Sequence, residues 1–277
     1  MSPRPKTPGP LLRLLVLVLL LAAGAVAVFW ASLPDVSPLA ARTPRTTALL
    51  EQRRAEAGRA GRPYRPDLRP VPLERIAPPL AEAVVLSEDA AFFGHSGFDW
   101  REIRNAAEEN WRAGRTVRGA STLTQQLAKN LYLGTERSYV RKLREAGVAV
   151  KLERALSKRR ILSLYLNVAE WGPGVFGAEA AARHWFGVAA ADLDVAQAAA
   201  LAAMLPAPGH ARLSPAPRWL ARRARKVLGL LRQTGKIDDD AYIGAAAELE
   251  RILGEPEPSG EEGPPDEFTD DDPEPER

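Results

Sequence analysis

The stretch Pro78-Pro79-Leu80-Ala81-Glu82-Ala83-Val84-Val85-Leu86-Ser87-Glu88-Asp89-Ala90-Ala91-Phe92-Phe93-Gly94-His95-Ser96-Gly97-Phe98-Asp99 joins an apolar helix to a carboxylate pair and a glycine-containing bend. The two prolines suit a first helical turn, and Leu80, Val84 and Val85 form an apolar stripe that ends beside Glu88. Phe92, Phe93 and Phe98 follow, so Glu88 is expected to be partly desolvated. Burial of that kind pushes a carboxyl group up toward the range useful to a general base, at ~1.4 kcal/mol per pH unit. A Glu-Asp pair at a helix end is more often a capping or solvated pair, and only its context raises Glu88 to a catalytic candidate. His95 reads as a hydrogen-bonder around the bend, because His184 and His210 show no ligand spacing with it.

Further along stands Gly119-Ala120-Ser121-Thr122-Leu123-Thr124-Gln125-Gln126-Leu127-Ala128-Lys129-Asn130. Ser121 or Thr122 can cap a helix here, and an ordinary polar helix start is as good a reading as a functional one. If functional, its hydroxyls and backbone amides make an anion site that Lys129 extends as a point charge. Arg137, Arg141 and Lys142 follow closely. On a helix starting near Ser138, Arg141 and Lys142 share a face with Glu145 while Leu143, Ala146 and Val150 are expected in the core. Taken alone, that is a surface ion-pair ladder. Together the segments supply one base, a second carboxylate and a basic cluster suited to a pyrophosphate.

Other segments read as helix as well. Ser157 can cap a helix that buries Ile161, Leu162, Leu164, Tyr165 and Leu166, and Asp194 with Gln197 opens an Ala/Leu helix ending near Leu205. The expected fold is a mainly α domain with a deep cleft. It lacks the alternating βα pattern of a nucleotide-sugar-binding sheet, which implies another kind of donor.

Outside this core the chain changes character. Leu14 to Leu33 is a run of 20 uncharged residues, long enough at ~1.5 Å per residue to cross a bilayer core of roughly 30 Å. Ala25-Val26-Ala27 could serve a signal peptidase, but the apolar run continues through Val28, Phe29 and Trp30, which favours a retained single-pass anchor. Either way the body is exported. The expected organisation is a cytoplasmic N-terminus (1–13), an anchor (14–33), a Pro/Arg-rich linker (34–72) with a short helix around Thr47 to Ala57, a globular domain (73–253) and an acidic disordered tail (254–277).

From Glu255 onward the tail carries eleven acidic residues and one basic residue, so the remainder holds 37 basic against 24 acidic residues, a net of +13. A basic body beside an anchor points to anionic phospholipids or a phosphorylated substrate, and nucleic acid is not an expected partner. The absence of cysteine excludes disulfides and thiolate metal sites.

The Glu-Asp-x-x-Phe-x-x-His-x-Gly stretch at Glu88 and the Gly-Ala-Ser-Thr-x-Thr-Gln-Gln-x-x-Lys-Asn stretch at Gly119 resemble signatures of the peptidoglycan glycosyltransferases. So do Arg-Lys-x-x-Glu at Arg141 and Ile-Leu-x-x-Tyr-Leu-Asn at Ile161, in the same order, with Gly172, Gly177, Ala180, Ala181 and Phe186 continuing the pattern. The resemblance covers about Leu73 to Leu205. It implies a lysozyme-like helical domain, shared with the glycosyltransferase part of bifunctional penicillin-binding proteins, in which a membrane-contacting subregion corresponds to Trp100 to Val117. Only an Arg/Leu-rich helix and the tail follow Pro217, which resembles the monofunctional form, and the Val168 to Gly177 stretch resembles its Gram-negative version in the inner membrane, facing the periplasm.

What the resemblance implies chemically is polymerisation of lipid II into β-1,4 glycan with inversion and release of undecaprenyl diphosphate. Glu88 would be the general base and Glu145 the second essential carboxylate. Ser121, Gln125, Gln126, Lys129, Arg137, Arg141 and Lys142 would contact sugar and phosphates. The resemblance also implies assistance by a divalent cation, magnesium, although no carboxylate cage in the sequence demands one, and it allows partners among the cell-wall synthesis or division proteins. Two rival functions are a lytic transglycosylase or lysozyme-like hydrolase, which has no need of the cationic cluster, and a noncatalytic anchored scaffold, which has no need of Glu88.

Overall fold

A computed structural model describes residues 9–115, 119–134 and 138–254, and it divides into two units on either side of Asp35 and Val36. The first unit is one helix, α1 (Pro10–Ser32), 23 residues and roughly 35 Å long, sufficient by length and composition to cross a membrane. It starts four residues before the expected anchor because Pro10 suits a first helical turn, and it therefore includes Arg13.

The segment expected to be a linker is instead folded onto the second unit. Helix α2 (Ala48–Arg59) is capped by Thr47, whose hydroxyl accepts from the Leu50 amide at 3.1 Å, and it buries Leu49 and Leu50 against Phe176, Tyr64 and Leu68. Strand β1 (Asp67–Leu68) pairs in parallel with β2 (Val175–Phe176), Asp67 opposite Val175. Asn167 then holds Val71 from both sides, accepting from its amide at 2.8 Å and donating to its carbonyl at 2.9 Å. The few apolar residues of this segment show no periodicity because their partners lie about a hundred residues downstream. The acidic tail from Glu255 lies outside the described residues.

Helix α3 (Pro78–Glu88) buries Leu80, Ala83, Val84 and Val85 and ends at the carboxylate pair. It is followed by α4 (Trp100–Ala113), capped by Asp99, and by α5 (Leu123–Ala128), whose Thr122 and Gln125 form a reciprocal capping box. A single wide turn, Lys129–Leu133, continues α5 and closes with the Gly134 amide donating to the Lys129 carbonyl at 3.1 Å. Such one-residue expansions of a helix recur at functional sites.

Helix α6 (Tyr139–Ala155) is capped by Ser138 as expected, yet it turns a different face inward. Arg141, Glu145, Val148, Ala149 and Leu152 are buried, whereas Leu143 is 60% exposed and Ala146 and Val150 are half-buried. The inward stripe follows the helical repeat but is charged in its first half, which is tolerable because Arg141 and Glu145 neutralise each other where α6 packs on α5. Leu143 instead joins Tyr139 and Val140 as exposed apolar surface.

The remaining helices are α7 (Lys158–Val168), α8 (Ala178–Phe186), α9 (Val195–Met204), α10 (Arg218–Gln233) and α11 (Asp239–Leu253). Ile161 through Val168 are all buried, so α7 is the central helix, and the alanines of α9 let α3, α10 and α11 pack closely around it. Ser157 caps α7, and Asp194 with Gln197 forms the capping box of α9. Gly177 joins β2 to α8 at φ +84°, where an added Cβ would lie 2.6 Å from the Asn167 carbonyl oxygen. Among the described residues the strands are limited to this two-residue pair, and the site rests on helix ends.

Candidate active site

Helix α3 delivers Glu88 at its last turn, with 10% of the side chain exposed. One carboxylate oxygen is paired with the Arg223 guanidinium from α10, and the other accepts from Gln126 Nε2 at 2.9 Å. Gln126 Oε1 in turn accepts from the Tyr165 hydroxyl at 2.9 Å. Tyr165 is fully buried in α7, and burial, with Glu88 beside it, pushes its phenol well above the ordinary range, so it stays a donor. Glu88 is therefore desolvated as expected. Its charge is also compensated, by a residue that sequence inspection did not single out.

Asp89 does structural work. Its Oδ1 lies 2.9 Å from His95 Nε2 and its Oδ2 accepts from the Leu123 amide at 3.0 Å, while His95 Nδ1 accepts from the Gly97 amide at 3.2 Å. The Thr122 hydroxyl donates to the Gly97 carbonyl at 2.7 Å. This network locks the start of α5 to the bend after Glu88, and so fixes Ser121 and Gln126 relative to that carboxylate. Gln125 is buried, and its side-chain oxygen accepts from the Thr122 amide at 3.0 Å within the capping box.

A second cluster is built on α6. Glu145 has 3% of its side chain exposed and accepts from Arg141 Nη1 at 2.7 Å and Lys142 Nζ at 2.9 Å. Lys142 Nζ also donates to Ser121 Oγ at 3.0 Å. Ser121 is thus the joint between the two clusters, because it also lines a cavity of about 530 Å³ with Glu88, Arg101, Glu102, Glu109 and Lys226. Carboxylates outnumber cations on that lining, whose own cations are Arg101 and Lys226, while Lys142 and Arg223 reach it through Ser121 and Glu88.

Lys129, placed by the wide turn after α5, lines a smaller cavity with Gln126, Tyr165, Arg53 and Glu170. It shares Gln126 and Tyr165 with the Glu88 network, not the larger cavity. Arg137 lies outside the described residues. Among the described residues no three His, Asp or Glu side chains converge as a cation cage, and both Glu145 oxygens already face cations, so these residues do not fit a protein-held magnesium ion.

Arg223 and Tyr165 are the side chains of the Glu88 network that sequence inspection missed. Arg223 is separated from Glu88 by 135 positions, and its only signal is the run of arginines on an amphipathic helix. Tyr165 was expected only as core.

A partly buried carboxylate held by an amide and a guanidinium, next to a hydroxyl-lysine-glutamate cluster, is suited to general-base chemistry beside an anionic group. A family model described as Transglycosylase matches residues 56–232, and the chain belongs to that family. Among its relatives, the biosynthetic peptidoglycan transglycosylase of Methylobacillus flagellatus is 53% identical over 162 residues, 58% of this chain and 71% of its own length. That of Laribacter hongkongensis is 47% identical over 182 residues, 66% and 80% of the two chains. Penicillin-binding protein 1A from Haemophilus influenzae, a solved structure, aligns over 66% of this chain and 18% of its own at 18% identity and a TM-score of 0.38.

Proposed function

We propose that this chain is a peptidoglycan glycosyltransferase that polymerises lipid II, acting from the inner membrane with its body in the periplasm. Family membership and the names of its relatives support the activity, and α1 supports the anchorage. The observation that carries the chemistry is the position of Glu88, desolvated yet open to the cavity that it shares with Ser121, the residue to which Lys142 donates.

In this mechanism Glu88 takes the proton from the acceptor's sugar 4-hydroxyl. Gln126 and Arg223 each occupy one of its oxygens, and a carboxylate has roughly four lone-pair sites, so a hydroxyl can still be accepted. The freed oxygen attacks the anomeric carbon of the growing strand as the bond to the lipid pyrophosphate breaks on the opposite face. Inversion follows, giving the β-1,4 linkage. Charge growing on the departing diphosphate is met by Lys142 and Lys129, with Arg141 and Glu145 holding Lys142 in place. The apolar surface of Tyr139, Val140 and Leu143 on α6, and of Trp100 and Trp111 on α4, suits a lipid surface from which the substrate arrives.

Labelled lipid II, incubated with the purified full chain and separated on a gel, tests this directly. A ladder of polymer that lysozyme digests is expected; cleavage of supplied glycan without polymer formation would overturn the assignment in favour of a hydrolase.

A further inference from the structure

Helix α10 carries Arg218, Arg222, Arg223, Arg225, Lys226 and Arg232 and no acidic residue. Three of these cations are committed within the fold: Arg223 to Glu88, Arg225 to Glu250 at 2.7 Å and Arg232 to Asp239 at 2.7 Å. Arg218, Arg222 and Lys226 recur every four residues, so they share one face, and all three are exposed. Arg222 and Lys226 make no hydrogen bond or ion pair among the described residues. The stripe is about 12 Å long, at ~1.5 Å per residue. One end reaches the Glu88 cavity, which Lys226 lines. The other end lies where the described chain leaves the fold. Gly254 closes α11, the Ala216 amide donates to the Leu253 carbonyl at 2.9 Å, and a Cβ added to Gly254 would stand 2.9 Å from Ser214 Oγ, four residues before Arg218.

We infer that this stripe is the docking surface for the chain's own acidic segment, residues 255–277, which covers Arg222 and Lys226 at the mouth of the Glu88 cavity. The segment supplies eleven carboxylates against one arginine, directly beyond Gly254. From Gly254 to Lys226 the path is roughly 30 Å or less, and at ~3.3–3.6 Å per extended residue it is spanned by the stretch that holds Glu255, Glu257, Glu261 and Glu262. Attachment to the same chain places these carboxylates at an effective concentration in the millimolar range, ahead of a separate polyanion of equal affinity. Glu102 and Glu109 on the cavity lining repel an acidic segment, so docking stops at the mouth and leaves Glu88 free. Covering Lys226 withdraws a cation from an anionic substrate. That consequence rests on the proposed polymerase activity, whereas the docking itself does not.

The test treats the full chain with a carbodiimide, which joins an amine to a carboxylate as an amide with loss of water, and reads the linked peptides by mass spectrometry. Lys226 is expected to couple to residues 255–277 at low salt. The yield should fall about threefold or more in the full-chain Arg222→Gln variant, with an unchanged melting temperature, and likewise in ~1 M salt, where the screening length is ~3 Å. A full-chain Glu255→Gln/Glu257→Gln/Glu261→Gln/Glu262→Gln variant should lower the KM for lipid II about threefold at low salt with kcat unchanged, the difference vanishing in ~1 M salt. Three results would overturn the docking: no Lys226 link to the segment, a yield indifferent to Arg222→Gln or to salt, or links confined to pairs of differently isotope-labelled chains, the mark of a second copy. An unchanged KM would overturn the competition with substrate. The cross-link needs no substrate, so a wild-type chain that makes no polymer sinks the activity and leaves the docking judged on its own readout.

Discussion

Replacing Glu88 by glutamine removes a base while preserving shape, and the structure separates its effects on rate and stability. Loss of a general base costs about 10²–10⁴ in rate, roughly 3–5 kcal/mol of barrier. The stability effect is smaller. Arg223 has 30% of its side chain exposed, so water screens what the neutral amide no longer neutralises, and the loss is about 1 kcal/mol, well below the 3–5 kcal/mol of breaking a fully buried pair. The glutamine oxygen can remain on Arg223 while its amide faces Gln126, which turns over and donates to the Tyr165 hydroxyl, a group able to accept as well as donate. A melting shift of roughly 2–4 °C is therefore expected for a domain of this size. The assay is continuous polymerisation of purified lipid II beside a thermal melt of the same preparation. Turnover near wild type would refute the base assignment, and a rate loss accompanied by a melting drop above ~10 °C would make Glu88 a structural residue.

Three further outcomes are expected. Glu145→Ala leaves Arg141, only 8% exposed, without its partner in the interior, which should cost ~3–5 kcal/mol and lower the melting temperature by roughly 6–20 °C; a shift under ~2 °C in a thermal melt would contradict the buried pair. Lys129→Ala should raise the KM for lipid II about tenfold with little change in melting, because Lys129 lines a cavity next to the Glu88 network; unchanged kinetics with a collapsed melt would mark it as structural. At Glu179, burial alone would push the carboxyl up, but the Ala190 amide at 2.8 Å and Arg183 at 2.6 Å outweigh it and the net direction is below the usual 4.5. A depressed folded-state value means that its stabilisation is present above about pH 4.5 and lost as pH falls below it, so Glu179→Gln should flatten melting temperature against pH in that acid window and an unaltered curve would reject the cause.

Legibility followed the distance over which each interaction acts. Pro78, Ser157, and Asp194 with Gln197 state their helix starts within three residues and appear as read, and of the two caps read for α5, Ser121 or Thr122, it is Thr122 that caps. The face of α6 was not readable in that way. Its repeat carries two candidate stripes, one through Leu143 and one through Arg141 and Glu145, and hydrophobicity favours the wrong one unless the charged pair is seen to close on itself. The segment before Leu73 failed for a related reason, since Leu49, Leu68 and Val71 find their partners at Phe176 and Asn167.

The amino-acid order by itself determined the helical class, the single apolar span near the N-terminus, the carboxylate pair that ends α3 and the hydroxyl-amide-lysine stretch, because each is written in contiguous residues or in the helical period. Only the tertiary structure decided that Arg223 and Gln126 hold Glu88, that Ser121 joins its cavity to the Lys142–Glu145 pair, and that Arg53 meets Glu170 at the smaller cavity of Lys129. Those contacts join residues 21 to 135 positions apart, and long-range pairing of charges is set by how helices pack, which no local pattern encodes.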